Sequence, residues 1–250
     1  MSSVNITREE AQQRSQVITA HSSKVLVDLS GRDPNGDPLG EPTETFVSSS
    51  TIQFSSTGGQ SHLDLIADGV YAADLDGTPL DPAAFSHNRF PFTTEPGTHE
   101  ITVTALCRYS HSGEGLHRFV DPADGKVYLY TQFEIADARR MYADFEQPDQ
   151  KMTFELQVIA PTGWTIVSNS PAPEPTEGPW EGMSRWSFEP TLPISTYLTA
   201  LVAGEYHVDH GTIHTASGEI DADILCRQSI TEYLDADPVS YTHLTLPTIY

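Results

Sequence analysis

The 250-residue chain is long enough for one large domain or two modest ones. Hydrophobic residues make up 38 % and charged residues 19 %; Ser, Thr, Gly and Pro fill the gap, which predicts a loop-rich, β-leaning chain. Lys plus Arg is 13 against 35 for Asp plus Glu, a formal net charge of −22, which excludes an electrostatic grip on nucleic-acid phosphate or anionic lipid.

Met1 to Arg14 is polar and has no apolar run of the signal-peptide kind. No stretch reaches the roughly eighteen apolar residues of a membrane span. Thr7-Arg8-Glu9-Glu10 forms a capping box, and with the weak apolar stripe Ala11, Val17 and Ile18 it predicts a helix over residues 7–20. Strands follow. Lys24 to Leu29 is short and apolar, Gly31 to Pro42 is a turn-rich break, and Thr45 to Phe54 and Leu63 to Leu75 hold further candidates. Ile101, Val103, Ala105 and Cys107 alternate on one face, as do Met152, Phe154, Leu156 and Val158. Lys126 to Glu134, Trp180 to Phe188, Tyr197 to Val202 and Glu219 to Cys226 continue the pattern, and Pro171 to Pro179 reads as an exposed loop. The sum is an all-β sandwich with one N-terminal helix. Cys107 and Cys226 are far apart and read as reduced thiols, which with the composition predicts a cytoplasmic chain.

Three clusters invite a metal reading. His207, His210 and His214 surround Asp209, but His207 and His210 point to opposite faces of a strand, so they read as surface histidines. Asp33-Pro-Asn35-Gly-Asp37 followed by Glu44 mimics a calcium loop, yet Pro38 stands where the sharp turn needs glycine. His99-Glu100 lacks a second histidine one turn later, where Val103 stands. The sequence contains no Gly-rich phosphate loop, no Gly-x-Ser-x-Gly elbow and no Cys-x-x-Cys, so it displays no complete catalytic constellation and no metal set. One strand stands out. Tyr130, Gln132 and Glu134 fall on one face, with Val127, Leu129 and Phe133 on the other. A carboxylate and an amide oxygen two residues apart can both accept from one ammonium group; a solvated strand face has the same pattern.

Gly115-Leu-His-Arg-Phe-Val-Asp-Pro-Ala-Asp-Gly-Lys-Val-Tyr-Leu-Tyr-Thr-Gln-Phe-Glu134 closely resembles the aminopeptidase N family of zinc peptidases, particularly its actinobacterial members. Ala138-Arg139 and Phe145-Glu146-Gln147-Pro148-Asp149-Gln150-Lys151-Met152-Thr153-Phe154 continue the likeness, with Glu146 and Met152 as mild departures from the family's usual Asp and Ala. Ser195 to Gly204 is similar to the strand that ends the family's N-terminal domain, and the resemblance runs from about residue 7 to about residue 237. It implies a saddle-shaped β-sandwich packed against a thermolysin-like catalytic domain. It also implies that Gln132 and Glu134 hold the free α-amine of a peptide substrate. The family's zinc motif, His-Glu-x-x-His, and its exopeptidase motif, Gly-x-Met-Glu-Asn, are absent from this sequence.

The resemblance thus implies an N-terminal helix over 7–20, a β-sandwich domain over 21–206 and the start of a catalytic domain over 207–238. Val239 to Thr248 resembles the conceptual translation of a transposase sequencing adapter, so residues 239–250 are expected to be a non-native tail. The expected function is the N-terminal part of a zinc-dependent aminopeptidase acting on peptides with a free N-terminus. It would contribute amine recognition, with zinc a cofactor of the parent protein only. The alternatives are a stand-alone β-sandwich binding module and a non-peptidase relative that uses the scaffold for docking.

Overall fold

The computed structural model describes residues 5–33, 35–215 and 218–235, with backbone only over 213–215. The expected non-native tail, 239–250, lies outside the described residues.

Helix α1, Arg8–Val17, starts on the expected capping box: Thr7 Oγ1 accepts from the Glu10 amide at 3.2 Å and Glu10 Oε2 accepts from the Thr7 amide at 2.8 Å. It ends earlier than residue 20. The β-branched pair Ile18 and Thr19 turns extended, and strand β1, Ile18–Asp28, begins at once with Ile18 and Ala20 buried.

The remaining strands are β2 Thr45–Asp64, β3 Gly69–Leu75, β4 Thr78–Pro79, β5 Arg89–Arg108, β6 Gly115–Val120, β7 Val127–Gln132, β8 Thr153–Pro161, β9 Thr165–Ser168, β10 Thr176–Glu177, β11 Met183–Ser187, β12 Leu201–Gly204, β13 Tyr206–Thr215 and β14 Gly218–Arg227. Eight of them form one sheet in the order β10-β11-β8-β1-β2-β5-β3-β4; β6-β7-β12-β9 form a second, and β13 pairs with β14. One core joins the two larger sheets. Val25, Ile52, Phe54, Ile101, Val103, Leu156 and Val158 come from the large sheet, and Leu129, Ile166, Leu201 and Ala203 from the small one. The alternating runs at 101–107 and 152–158 face this core, as their period of two requires. The fold is an all-β sandwich with one α-helix among the described residues.

The segment Tyr197 to Val202 is not one strand. Thr196–Leu198 is a 3₁₀ turn and β12 starts at Leu201, because the Thr196 hydroxyl and the Thr199 hydroxyl are both bonded to buried partners, Glu146 and Tyr142.

Gly204 ends β12 at φ +150°. A Cβ there would lie 2.4 Å from the Val127 carbonyl oxygen of β7. Only glycine lets the chain pass β7 that closely. Gly204→Ala should cost about 2 kcal/mol, read as a lower urea midpoint with unchanged slope. An unchanged midpoint would show that β7 gives way freely.

Candidate functional site

Strand β7 runs between β6 and β12, with Tyr130 opposite His117 and Val202, and Gln132 opposite Gly115. Tyr130 and Gln132 share an exposed face, while Leu129 and Phe133 are buried. Tyr128 is also buried, so the strand's start packs on both sides. Glu134 does not continue the strand. The chain turns after Gln132, with the Asp137 amide donating to the Phe133 carbonyl at 3.0 Å. The turn still brings the two expected residues together: the Glu134 amide donates to Gln132 Oε1 at 2.6 Å. That bond orients the Gln132 amide and leaves one lone pair on its oxygen. The Glu134 carboxylate is exposed and has no partner among the described residues. The Glu134–Ile135 peptide is cis.

Beneath this turn lies bracing that sequence reading missed. Glu146 is buried; its Oε2 accepts from the Arg139 amide and its Oε1 from the Thr196 hydroxyl, each at 2.8 Å. One carboxylate thus ties the 3₁₀ turn Ala138–Arg140, which follows Glu134, to the segment that leads into β12. Burial pushes Glu146 up to about 7 against those hydrogen bonds. Arg140 binds Asp137 Oδ1 at 2.6 Å and reaches Glu114 at 3.4 Å. Its stem covers Gly115, where φ is +64° and a Cβ would sit 2.8 Å from Arg140 Cβ. The only sequence signal for this bracing was the acid at position 146 within the Phe-Glu-Gln-Pro run.

Beside Gln132, the Tyr130 ring packs 4.8 Å from His117, whose Nδ1 accepts from the Gly113 amide at 3.1 Å. Burial and neighbouring His111 hold His117 below the ordinary imidazole value, so the ring against Tyr130 is neutral at pH 7.

The described members of the suspected metal clusters do not converge. His210 Nδ1 pairs with Asp223 at 2.7 Å, and His207 faces the other side of β13 opposite Cys226. The His214 side chain lies outside the described residues. Asp33 Oδ1 accepts from the Asn35 and Asp37 amides, each at 2.9 Å, as a polar turn does. Among the described residues no group of three His, Cys, Asp or Glu side chains could hold a metal, and these residues do not fit a zinc ion.

A family model described as the peptidase M1 N-terminal domain matches residues 83–198, which include β7 and the turn after it. Aminopeptidase N of Streptomyces lividans is 44 % identical over 243 residues, covering 96 % of this chain and 27 % of the relative. Aminopeptidase N of Acetobacter pasteurianus is 38 % identical over 51 % of this chain and 37 % of its own length. The bovine aminopeptidase N is 34 % identical over 44 % of this chain and 12 % of its length. The chain therefore spans about a quarter of the length of the Streptomyces relative, 27 %.

Proposed function

We propose, since the chain belongs to the aminopeptidase N family of M1 peptidases and carries its N-terminal domain, that it supplies the edge which recognises the free α-amine of a peptide. Hydrolysis of the first peptide bond by the whole protein, in the cytoplasm, belongs to the same proposal. So does a zinc ion, whose ligands the whole protein would supply.

The carrying observation is an exposed Glu134 carboxylate with no partner among the described residues, two positions from an amide oxygen that the Glu134 N–H fixes. An ammonium group has three donors and no acceptor. It can donate to the carboxylate and to the remaining lone pair of Gln132 Oε1. The buried Glu146 brace favours a preformed turn, so little ordering is required on binding. Exposed as it is here, the pair would be weak; excluding water around it would strengthen it.

The role is tested in an active aminopeptidase that includes this chain. Glu134→Ala should lower kcat/KM on a dipeptide by about 10- to 100-fold, the range for one charge-assisted contact. Gln132→Ala should lower it less, since a neutral acceptor is lost. Wild-type kinetics in Glu134→Ala would remove Glu134 from the site.

A further inference from the structure

At the end of β7 remote from Gln132, the β6–β7 turn meets the chain that leaves β14. The Asp121 side chain is only 4 % exposed. Its Oδ2 accepts from Arg227 Nη1 at 2.8 Å and from the Ser229 hydroxyl at 2.6 Å, and its Oδ1 accepts from the Ala123 amide at 2.9 Å. The Arg227 guanidinium also lies 5.1 Å from the centre of the Phe119 ring of β6. One residue on, the Gln228 amide donates to the Tyr128 hydroxyl at 3.0 Å, which itself donates to Asp124 at 3.2 Å. Tyr206, the first residue of β13, packs edge-on to Tyr128 at 4.9 Å and donates to the Leu129 carbonyl at 3.3 Å.

These contacts matter because the ribbon they hold joins neither of the two larger sheets among the described residues. Among the described residues β13 and β14 pair only with each other. A two-stranded hairpin is marginal in water on its own. Its described side chains are exposed or half-buried, with Ile220 52 % exposed. Its attitude is therefore set at its base, by the close passage at Gly204 and by the contacts to Asp121 and Tyr128.

We propose that Asp121, Tyr128 and Arg227 form a clasp that positions the β13–β14 ribbon on the β6–β7 hairpin and, through β7, relative to Gln132 and Glu134. Along β7, Tyr128 of the clasp and Gln132 are four residue steps apart, about 13 Å. The link to an amine site rests on the function proposed above; the clasp itself does not. Charge-assisted bonds to a buried carboxylate are the strong kind, and all three bonds to Asp121 are of that kind.

Amide hydrogen exchange on the 250-residue chain tests the clasp. In Asp121→Ala, amides of β13 and β14 should exchange about tenfold faster or more while those of Phe46 to Phe54 in β2 keep their protection. The backbone amide resonances of Gln132 and Glu134 should shift. Ser229→Ala removes one donor and should accelerate the same ribbon amides about threefold, which keeps the test open if Asp121→Ala fails to fold. Unchanged exchange in the ribbon would overturn the clasp, as would equal acceleration in β2, the sign of a merely global loss of stability. A loosened ribbon with unmoved Gln132 and Glu134 resonances would overturn the positioning claim. None of these outcomes depends on whether Glu134 binds an amine.

Discussion

Arg14→Ala should destabilise the protein by about 3–5 kcal/mol, the range for breaking one partner out of a buried ion pair. Arg14 is the buried residue of α1, 4 % exposed; its Nη2 donates to Asp64 Oδ2 at 2.9 Å and lies 2.6 Å from His62 Nε2. The guanidinium also lies 5.7 Å from the centre of the Phe145 ring. Asp64 is 1 % exposed. Burial raises its carboxyl, but His62 and Arg14 outweigh that and hold it below the usual carboxylate range. A carboxyl lowered in the folded state adds stability above its unfolded pKa and loses it as the pH falls. Without Arg14 the same carboxyl should rise, so the gap between wild type and Arg14→Ala should narrow as the pH falls toward 4. Replacing both partners, Arg14→Met with Asp64→Leu, should cost much less than Arg14→Ala alone. Urea unfolding at pH 7 and pH 4 measures all three variants. A loss under about 1 kcal/mol at pH 7 would mean that the pair is not what docks the helix.

The second large effect concerns pH and has the opposite sign. Asp144 is fully buried, and neither carboxylate oxygen has a hydrogen-bond partner among the described residues. Burial, then Glu146 and Asp64, push it well above the ordinary carboxylate value. Glu146 is pushed up from 4.5 to about 7. A raised folded-state pKa means that the folded protein holds its proton more tightly. For Glu146 that stability is therefore full below about 4.5 and is lost as the pH rises to about 7, and Asp144 shifts in the same direction. For Glu146 alone the loss is on the order of 3 kcal/mol. Lowered carboxyls such as Glu10, at about 2, act only at more acid pH. The stability maximum should thus lie on the acid side of neutrality. Glu146→Gln can keep both bonds, accepting from the Arg139 amide and donating to the Thr196 hydroxyl, without a charge. It should flatten the decline between pH 5 and pH 8. A slope equal to wild type would place the titration elsewhere.

Much of the sandwich was legible because its core strands obey a strict period of two. Residues 101–107 and 152–158 needed no more than that. The long hairpin was not legible. Strands β2 and β5 each run 20 residues, through Gly58, Gly59, Pro91 and Pro96, residue types that weaken or interrupt strands. The structure tolerates them because β5 pairs with β3 only over Ile101 to Leu106, so both prolines fall where β5 has a neighbour on one side alone. Helix α1 was found by its cap, but its weak apolar stripe gave no hint that its buried residue is Arg14. That requires Asp64, fifty positions away, to be buried beside it. At the candidate site the spacing of Gln132 and Glu134 was visible. The turn that sets the Glu134 amide on Gln132 Oε1, and the Glu146 brace below it, depend on Arg139 and Thr196 and could not be read locally.

The central claim is that the end of β7 binds an α-amine, and titration of the 250-residue chain with L-alanine amide tests it most directly. The backbone amide signals of Gln132 and Glu134 should move progressively up to high ligand concentration, the weak binding expected of a charge-assisted contact in the open. N-acetyl-L-alanine amide, which has no ammonium group, should move neither signal, and Glu134→Ala should abolish the response. Equal shifts with the acetylated compound, or an undiminished response in Glu134→Ala, would contradict amine recognition at this turn.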